Sequence, residues 1–404
     1  MRKLIDLYKA LDVKNVKTEL AIAPFDFKAQ ADDNGVPCKV TGADGVVYER
    51  MNVQAAFYTA VCADGNKYKV FAFIGKPETP APEGGYPAIV LAHGGGGCAY
   101  FEWVQHWVDK GYVAIAPDLR SQYAVSVEKR ALANDNGAPY GIELDAMGSF
   151  QGTDRGEKSW MYYAPFALGF ALNALKEYAP INEEKVALAG ISWGGVACLH
   201  TAAVEPRFKA VSIIYSSAYH WDSEWAMDKH NVKDLTEEQL ALYKEYFDPA
   251  NTLDHIQSPI LFTAGMDDAA FSTVNRTHTT EKVNADKRYA YFVSFPHGHW
   301  EGWTPKQSYA FTDEILGFRK PFAKIELTIS GKEAKIKVSD KVEEVYLAYT
   351  TEVITAEKNV VWEETAAKKA CRVYKATLPE NATACFARYG DSDGVSFSTD
   401  VYYL

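Results

Sequence analysis

Between Ala88 and Phe295 the chain alternates short apolar runs with longer stretches whose apolar residues recur every three or four positions. The runs are Ala88–Ala92, Tyr112–Ala116, Val186–Ala189, Ala210–Tyr215, Pro259–Thr263 and Tyr289–Phe295. Bounded by glycine, proline and polar residues, each reads as a strand buried on both faces. Phe101–Lys110, Trp160–Tyr178 and the residues after Ser192 carry the helical spacing. This alternation predicts a mostly parallel sheet covered by helices on both faces.

The pattern differs on either side of that block. Asn52–Val61 and Lys67–Ile74 alternate and flank Ala63-Asp64-Gly65-Asn66, so they predict an antiparallel hairpin at the edge of the sheet. Residues 1–50 form an N-terminal extension in which only turn signals are legible, such as Gly42-Ala43-Asp44-Gly45. After Phe318 the segments shorten and alternate: Ile336/Val338, Val345–Tyr349, Arg372–Ala376, Ala384–Tyr389 and Val395–Val401. They predict a small all-β, sandwich-like module. The boundary falls near Lys320-Pro321, giving residues 1–320 as the larger domain and 321–404 as the module. Two connections within the larger domain, residues 121–159 and 216–251, exceed a simple crossover and read as insertions. Both follow the C-terminal ends of strands, the side on which open α/β sheets bind ligands.

Composition narrows the class. A chain of 404 residues, 48% hydrophobic and 24% charged, matches an ordinary globular protein large enough for a main domain and a smaller one. The formal net charge of −11, with no basic run, argues against nucleic acid as a partner. No apolar stretch approaches a membrane span, so no membrane partner is expected either. Charges interrupt the N-terminal residues Met1–Lys9. The expectation is a cytoplasmic protein, or a secreted or periplasmic mature form with its leader removed. Cys38, Cys62, Cys98, Cys198, Cys371 and Cys385 are scattered without a C-x-x-C, and read as small hydrophobes. A Cys371–Cys385 pair within the module is left open, as is the oligomeric state.

Candidate chemistry converges on one stretch. Val186–Ala189 leads into Gly190-Ile191-Ser192-Trp193-Gly194, which matches G-x-S-x-G, and a helical segment follows. Strand, tight turn and helix are the setting in which such a serine is lifted clear as a nucleophile. The Trp193 N–H then points toward a developing oxyanion. A hydroxyl nucleophile needs a base, and the base an orienting acid. Strand Pro259–Thr263 runs into Ala264-Gly265-Met266-Asp267-Asp268, where Asp268 is the expected acid and Asp267 its competitor. The last strand runs into Pro296-His297-Gly298-His299-Trp300-Glu301. His299, preceded by glycine, is the expected base, with His297 as the alternative. His297, His299 and Glu301 as metal ligands form a weaker reading, because no further cluster completes a site. No metal and no cofactor are therefore expected. His93-Gly94-Gly95-Gly96-Gly97 follows an earlier strand, and its backbone N–H groups can approach a ligand closely.

These motifs, in this order, resemble the α/β-hydrolase superfamily, and more closely its dienelactone-hydrolase and acetyl-xylan-esterase-like branch, with some prolyl-oligopeptidase character. The resemblance spans about Pro87 to Phe318. It implies a mostly parallel α/β-hydrolase sheet flanked by helices. It also implies Ser192 as nucleophile, Asp268 as acid, His299 as base, and Trp193 and Gly95 as oxyanion donors. Dienelactone hydrolases proper use a cysteine where this chain has Ser192, so simple esters are favoured over that branch's own substrate. The expected function is a serine carboxylesterase working through an acyl-enzyme. A small-molecule or saccharide ester is the expected substrate, with acetyl or feruloyl groups favoured. Trp221 and Trp225 in the second insertion are candidate substrate-binding residues, since aromatic walls suit ring-shaped ligands. A serine peptidase and a non-catalytic glycan-binding protein are the competing readings. Turnover of p-nitrophenyl acetate against an aminoacyl-nitroanilide separates the first two, and glycan binding without turnover marks the third.

Overall fold

The computed structural model describes all residues except 32–36, 50, 121–122, 128–155, 224–225, 228–231, 357 and 359. Among the described residues, one sheet of 14 strands organises the molecule. From one edge it runs Leu20–Ala23, Val53–Val61, Lys67–Gly75, Val113–Pro117, Tyr86–Ala92, Ile181–Ile191, Ala210–Ile214, Ile260–Gly265 and Lys287–Phe292. The first three are antiparallel, and the six from Val113–Pro117 onward are mutually parallel.

Alternation within the parallel strands divides the core in two. Ala88, Val90 and Ala92 face one hydrophobic cluster, and Ile89 and Leu91 face the other. Val186 and Leu188 join the first, while Ala187, Ala189 and Ile191 join the second. Both faces are covered, so these strands read as unbroken apolar runs. Helices Trp160–Tyr178 and Trp193–Val204 pack on the first face. Helices Phe101–Val108 and Lys306–Ile315 pack on the second.

The hairpin forms as the alternation predicts, from Val61↔Lys67 to Val53↔Gly75. Its turn uses Gly65 at φ +80, with the Gly65 N–H donating to Cys62 O. Residues 1–50 hold more structure than their sequence advertises. Helix Leu4–Leu11 is tied down by Tyr8, whose hydroxyl donates to buried Glu205 at 2.8 Å. Glu205 is in turn paired with Arg207, which also donates to Asn173 Oδ1.

Past Phe318 the structure is antiparallel β. Strands Ile325–Ser330, Glu333–Val338, Val373–Thr377 and Lys368–Ala370 form a four-stranded sheet. It shares a core with the second set of strands, through Ala334 and Ile336 on one side and Leu347, Ala387 and Tyr389 on the other. That second set, Ser396–Ser398, Ala384–Gly390, Glu344–Thr350 and Glu363–Ala366, continues the main sheet: Ser398 pairs with Tyr289 on its last parallel strand. The C-terminal residues also grip helix Thr273–Lys282. Thr280 Oγ1 donates to Asp400 Oδ2 at 2.7 Å, and Thr277 and Tyr403 share a hydrogen bond. Cys371 is an exposed and Cys385 a buried free thiol. Among the described residues no helix is long and apolar enough to cross a membrane.

Candidate active site

Four strand ends on the same side of the sheet deliver the polar residues. Strand Ile181–Ile191 ends directly in Ser192, whose backbone sits at φ 55, ψ −122. That conformation costs a non-glycine residue about 1–3 kcal/mol. The flanking residues explain how it is held. A Cβ at Gly190 would stand 2.4 Å from Gly194 O, and one at Gly194 would stand 2.1 Å from Ala92 O. Glycine at both positions is therefore a steric requirement of the turn. The Ser192 N–H donates to Ile214 O on the neighbouring strand, and the Gly195 and Val196 N–H groups donate to Ser192 O, opening helix Trp193–Val204.

Strand Ile260–Gly265 ends in the loop carrying Asp268, a carboxylate only 4% exposed. Its Oδ1 accepts from the Ala270 N–H at 2.8 Å and the Phe271 N–H at 3.4 Å. Its Oδ2 lies 3.0 Å from His297 Nδ1, and His297 Nε2 lies 2.9 Å from Ser192 Oγ. Serine, histidine and aspartate thus form one continuous hydrogen-bonded line. With the proton on Nδ1 shared with the carboxylate, Nε2 faces the hydroxyl as an acceptor. Asp267, the competing acid, is spent elsewhere: it accepts from Ser294 Oγ and from the Phe295 N–H.

The sequence predicts His299 as the base, whereas the structure brings His297, and not His299, to Ser192 and Asp268. The strand taken to run to Phe295 stops at Phe292, and a short helix starts at His299. That leaves Val293–Gly298 as the loop and puts His297, not His299, beside Ser192 and Asp268. The His297 ring is held by residues the sequence reading overlooked. Tyr215 lies 4.7 Å from it and donates its hydroxyl to Gly298 O at 2.6 Å. Phe271 stacks on it nearly parallel at 6.2 Å. Tyr215 follows strand Ala210–Ile214 at φ 34, and a non-glycine residue with positive φ leaves no mark in an apolar run.

His299 instead sits under the glycine loop. Its Nε2 accepts the Gly94 N–H at 2.9 Å. Burial brings its pKa down to about 4, and the two imidazoles beside it, His93 and His297, disfavour a further positive charge there, so the ring is neutral. His93 is buried too, and brought down to about 4 for the same reason. Its Nε2 accepts the Leu119 N–H, so Nδ1 carries the proton and donates to Gly94 O at 2.8 Å. Gly95 lies against Trp193: a Cβ there would touch the Trp193 ring at 2.5 Å. Gly95 and Trp193, the residues expected to supply oxyanion donors, are therefore in contact beside Ser192.

Trp221 is half-buried in a 3-10 turn, packs against the main core cluster and has Lys244 Nζ 3.5 Å over its ring. The core packing ties the insertion to the domain, while the Lys244 contact lies within the insertion. Trp225 lies outside the described residues, as does most of the insertion expected at 121–159. Among the described residues, no group of three or more His, Cys, Asp or Glu side chains could hold a metal ion.

The family model described as the dienelactone hydrolase family matches residues 70–309. No curated protein sequence matches the chain. Among solved structures, the acetyl xylan esterase 1 from Thermoanaerobacterium sp. JW/SL YS485 is similar with a TM-score of 0.54 and 18% identity, over 77% of this chain and 93% of that one. The acetyl xylan esterase from Paenibacillus sp. R4 is similar with a TM-score of 0.52 and 17% identity, over 73% of this chain and 88% of that one. At these identities the likeness is one of fold.

Proposed function

The chain belongs to the dienelactone hydrolase family and is an ester-hydrolysing enzyme with the α/β-hydrolase fold, and from that premise we propose a serine carboxylesterase whose triad is Ser192, His297 and Asp268. The observation that carries the reading is the unbroken line from Asp268 through His297 to Ser192, with contacts of 3.0 and 2.9 Å. In this mechanism Ser192 Oγ attacks the ester carbonyl while His297 Nε2 takes its proton. Asp268 holds the imidazole in the required tautomer and stabilises the imidazolium. The Trp193 and Gly95 N–H groups stabilise the tetrahedral oxyanion, a contribution of about 3 kcal/mol per donor. His297 then protonates the leaving alcohol. Water, activated by the same imidazole, releases the acid from the acyl-enzyme.

The substrate class we favour is an acetyl ester of a carbohydrate, with a feruloyl ester as the alternative acyl group. Its support is the fold shared with two acetyl xylan esterases over most of their length. The test is a panel of p-nitrophenyl acetate, acetylated xylo-oligosaccharide, feruloylated arabinose and an aminoacyl-nitroanilide. Release of acetate from the saccharide at a kcat/KM above that for the feruloyl ester supports the reading. Turnover of the anilide alone would sink it.

A further inference from the structure

We propose that His299 is a positioning residue for the oxyanion loop: its neutral imidazole holds Gly94 so that the Gly95 N–H faces the reacting carbonyl. The inference rests on the serine-esterase reading and goes beyond it, because His299 has no part in the proton transfer.

Four observations converge on it. The Gly94 N–H donates to His299 Nε2 at 2.9 Å. The ring is nested in the loop, since a Cβ at Gly94 would stand 2.9 Å from Nε2 and one at Gly97 only 2.4 Å from it. The carbonyl side of the same residue is held as well: Gly94 O accepts from His93 Nδ1 at 2.8 Å and from the Gly97 N–H at 3.0 Å. Finally, Tyr100 lies 4.9 Å from the His299 ring and 5.3 Å from both Trp300 and Trp303, bracing the short helix that begins with His299.

Gly94 is thus fixed at both its N–H and its C=O, by one histidine 205 positions away and another adjacent to it. A run of four glycines has little conformational preference of its own, so an unclamped loop would sample many backbone states. Displacing a catalytic donor by about 1 Å can cost about a hundredfold in rate. The role also dictates the protonation state. A donor at Nε2 would point its hydrogen at the Gly94 hydrogen, whereas a neutral ring with its proton on Nδ1 accepts. Burial, the largest influence on the His299 imidazole, favours that neutral form.

The test compares His299→Gln, His299→Asn and His299→Leu. A glutamine carbonyl oxygen reaches about where Nε2 stands, an asparagine oxygen only as far as Nδ1, and leucine offers no acceptor. With p-nitrophenyl acetate, kcat is expected to fall about 10- to 100-fold in His299→Leu and His299→Asn, with KM within about twofold. His299→Gln should recover most of the loss. Affinity for a trifluoromethyl ketone, whose hemiketal oxygen mimics the oxyanion, should fall in parallel with kcat. The pH limb of kcat/KM should stay in place in all three. Equal activity in the Gln and Asn variants would overturn the proposal. So would a pH limb abolished in His299→Gln, which would make His299 the base. Failure of the esterase reading would look different: Ser192→Ala would retain turnover.

Discussion

The turn that carries Ser192 and the loop that carries His297 lie 2.9 Å apart at their functional atoms, yet they are held by opposite means. The serine turn is marked by its neighbours in sequence, even though the backbone that Gly194 must clear, Ala92 O, belongs to another strand. Gly190 and Gly194 leave the space, strand and helix abut the turn directly, and Ser192 is only 6% exposed. The histidine loop is determined from a distance. Tyr215 holds Gly298, Asp267 holds Ser294 and Phe295, and Phe271 lies against the imidazole. Those residues come from two other strand ends. The difference teaches where a site is written in a sequence: the serine in a five-residue motif, the histidine in contacts spanning tens of residues.

The largest effect expected is at Ser192. Ser192→Ala should lower kcat by about 10⁴–10⁶ while leaving the melting temperature within a few degrees. His297→Ala should fall in the same range, because nucleophile and base act as a unit. Steady-state and single-turnover hydrolysis of p-nitrophenyl acetate measure both. If His297→Ala kept more than a hundredth of wild-type kcat, the loop would hold no base and the contrast would lose one of its two sides.

The same contrast explains what could be read in advance. Both faces of the parallel strands are covered, so their apolar runs announced the sheet, and the hairpin kept its period of two. The elbow was legible because its two glycines flank the serine within five residues, where the close approach of Gly194 O to Gly190 leaves no room for a side chain. Asp268 was legible as a carboxylate in the loop after a strand. The choice between His297 and His299 was not, because it depends on a strand that stops at Phe292 rather than three residues later. Side-chain periodicity cannot mark that end, since Val293 and Phe295 continue the apolar pattern without joining the sheet. The N-terminal helix was equally silent, being fixed through Tyr8 and the buried Glu205–Arg207 pair.

Next in size is the elbow glycine. Gly194→Ala places a methyl against backbone, which cannot move aside as a side-chain tip can. A loss of about 3 kcal/mol is expected, at the upper end for overpacking, together with most of the activity. Urea denaturation followed by tryptophan fluorescence measures it. A variant of wild-type stability would show that the turn is not fixed by its own sequence.

Acidification tests the buried side of the comparison. His200, on the helix that Ser192 opens, is brought down to about 4 by burial and contacts Phe247 O through Nε2 at 2.9 Å. An unfolded histidine titrates near 6.5. Between pH 6.5 and 4 the unfolded chain therefore binds the extra proton. The His200 contribution is complete above pH 6.5 and is lost as the pH falls toward 4, by at most about 3 kcal/mol. Asp248, pushed up to about 6 by burial, works in the opposite sense: it is protonated in the folded state first, so stability is gained as the pH falls from 6 toward 3.8. Comparing the wild type with His200→Gln cancels that contribution. The difference in unfolding free energy between pH 7 and pH 4.5 should shrink in the variant, and an unchanged difference would remove His200 as the cause.

The smallest effect concerns the loop, and it separates positioning from folding. Tyr215 is fully buried, and its hydroxyl makes the 2.6 Å bond to Gly298 O, the carbonyl between the two histidines. Tyr215→Phe keeps the ring, which lies 4.7 Å from the imidazole, and deletes only that bond. A lost hydrogen bond of this kind costs about 1 kcal/mol of stability. The activity should suffer more than the fold, because Gly298 is the residue next to His297 and nothing else on Tyr215 fixes its carbonyl. A loss of about tenfold in kcat with little change in KM is expected, since the imidazole must keep its 2.9 Å contact with Ser192 Oγ to take the proton as the reaction proceeds. The elbow offers the matching control. Thr201→Val, on the helix after Ser192, deletes a buried side-chain bond to Ala197 O at 2.7 Å and should cost similar stability with kcat unchanged. If both variants lost activity in proportion to stability, the loop would be no more dependent on distant contacts than the elbow, and the distinction between them would fail.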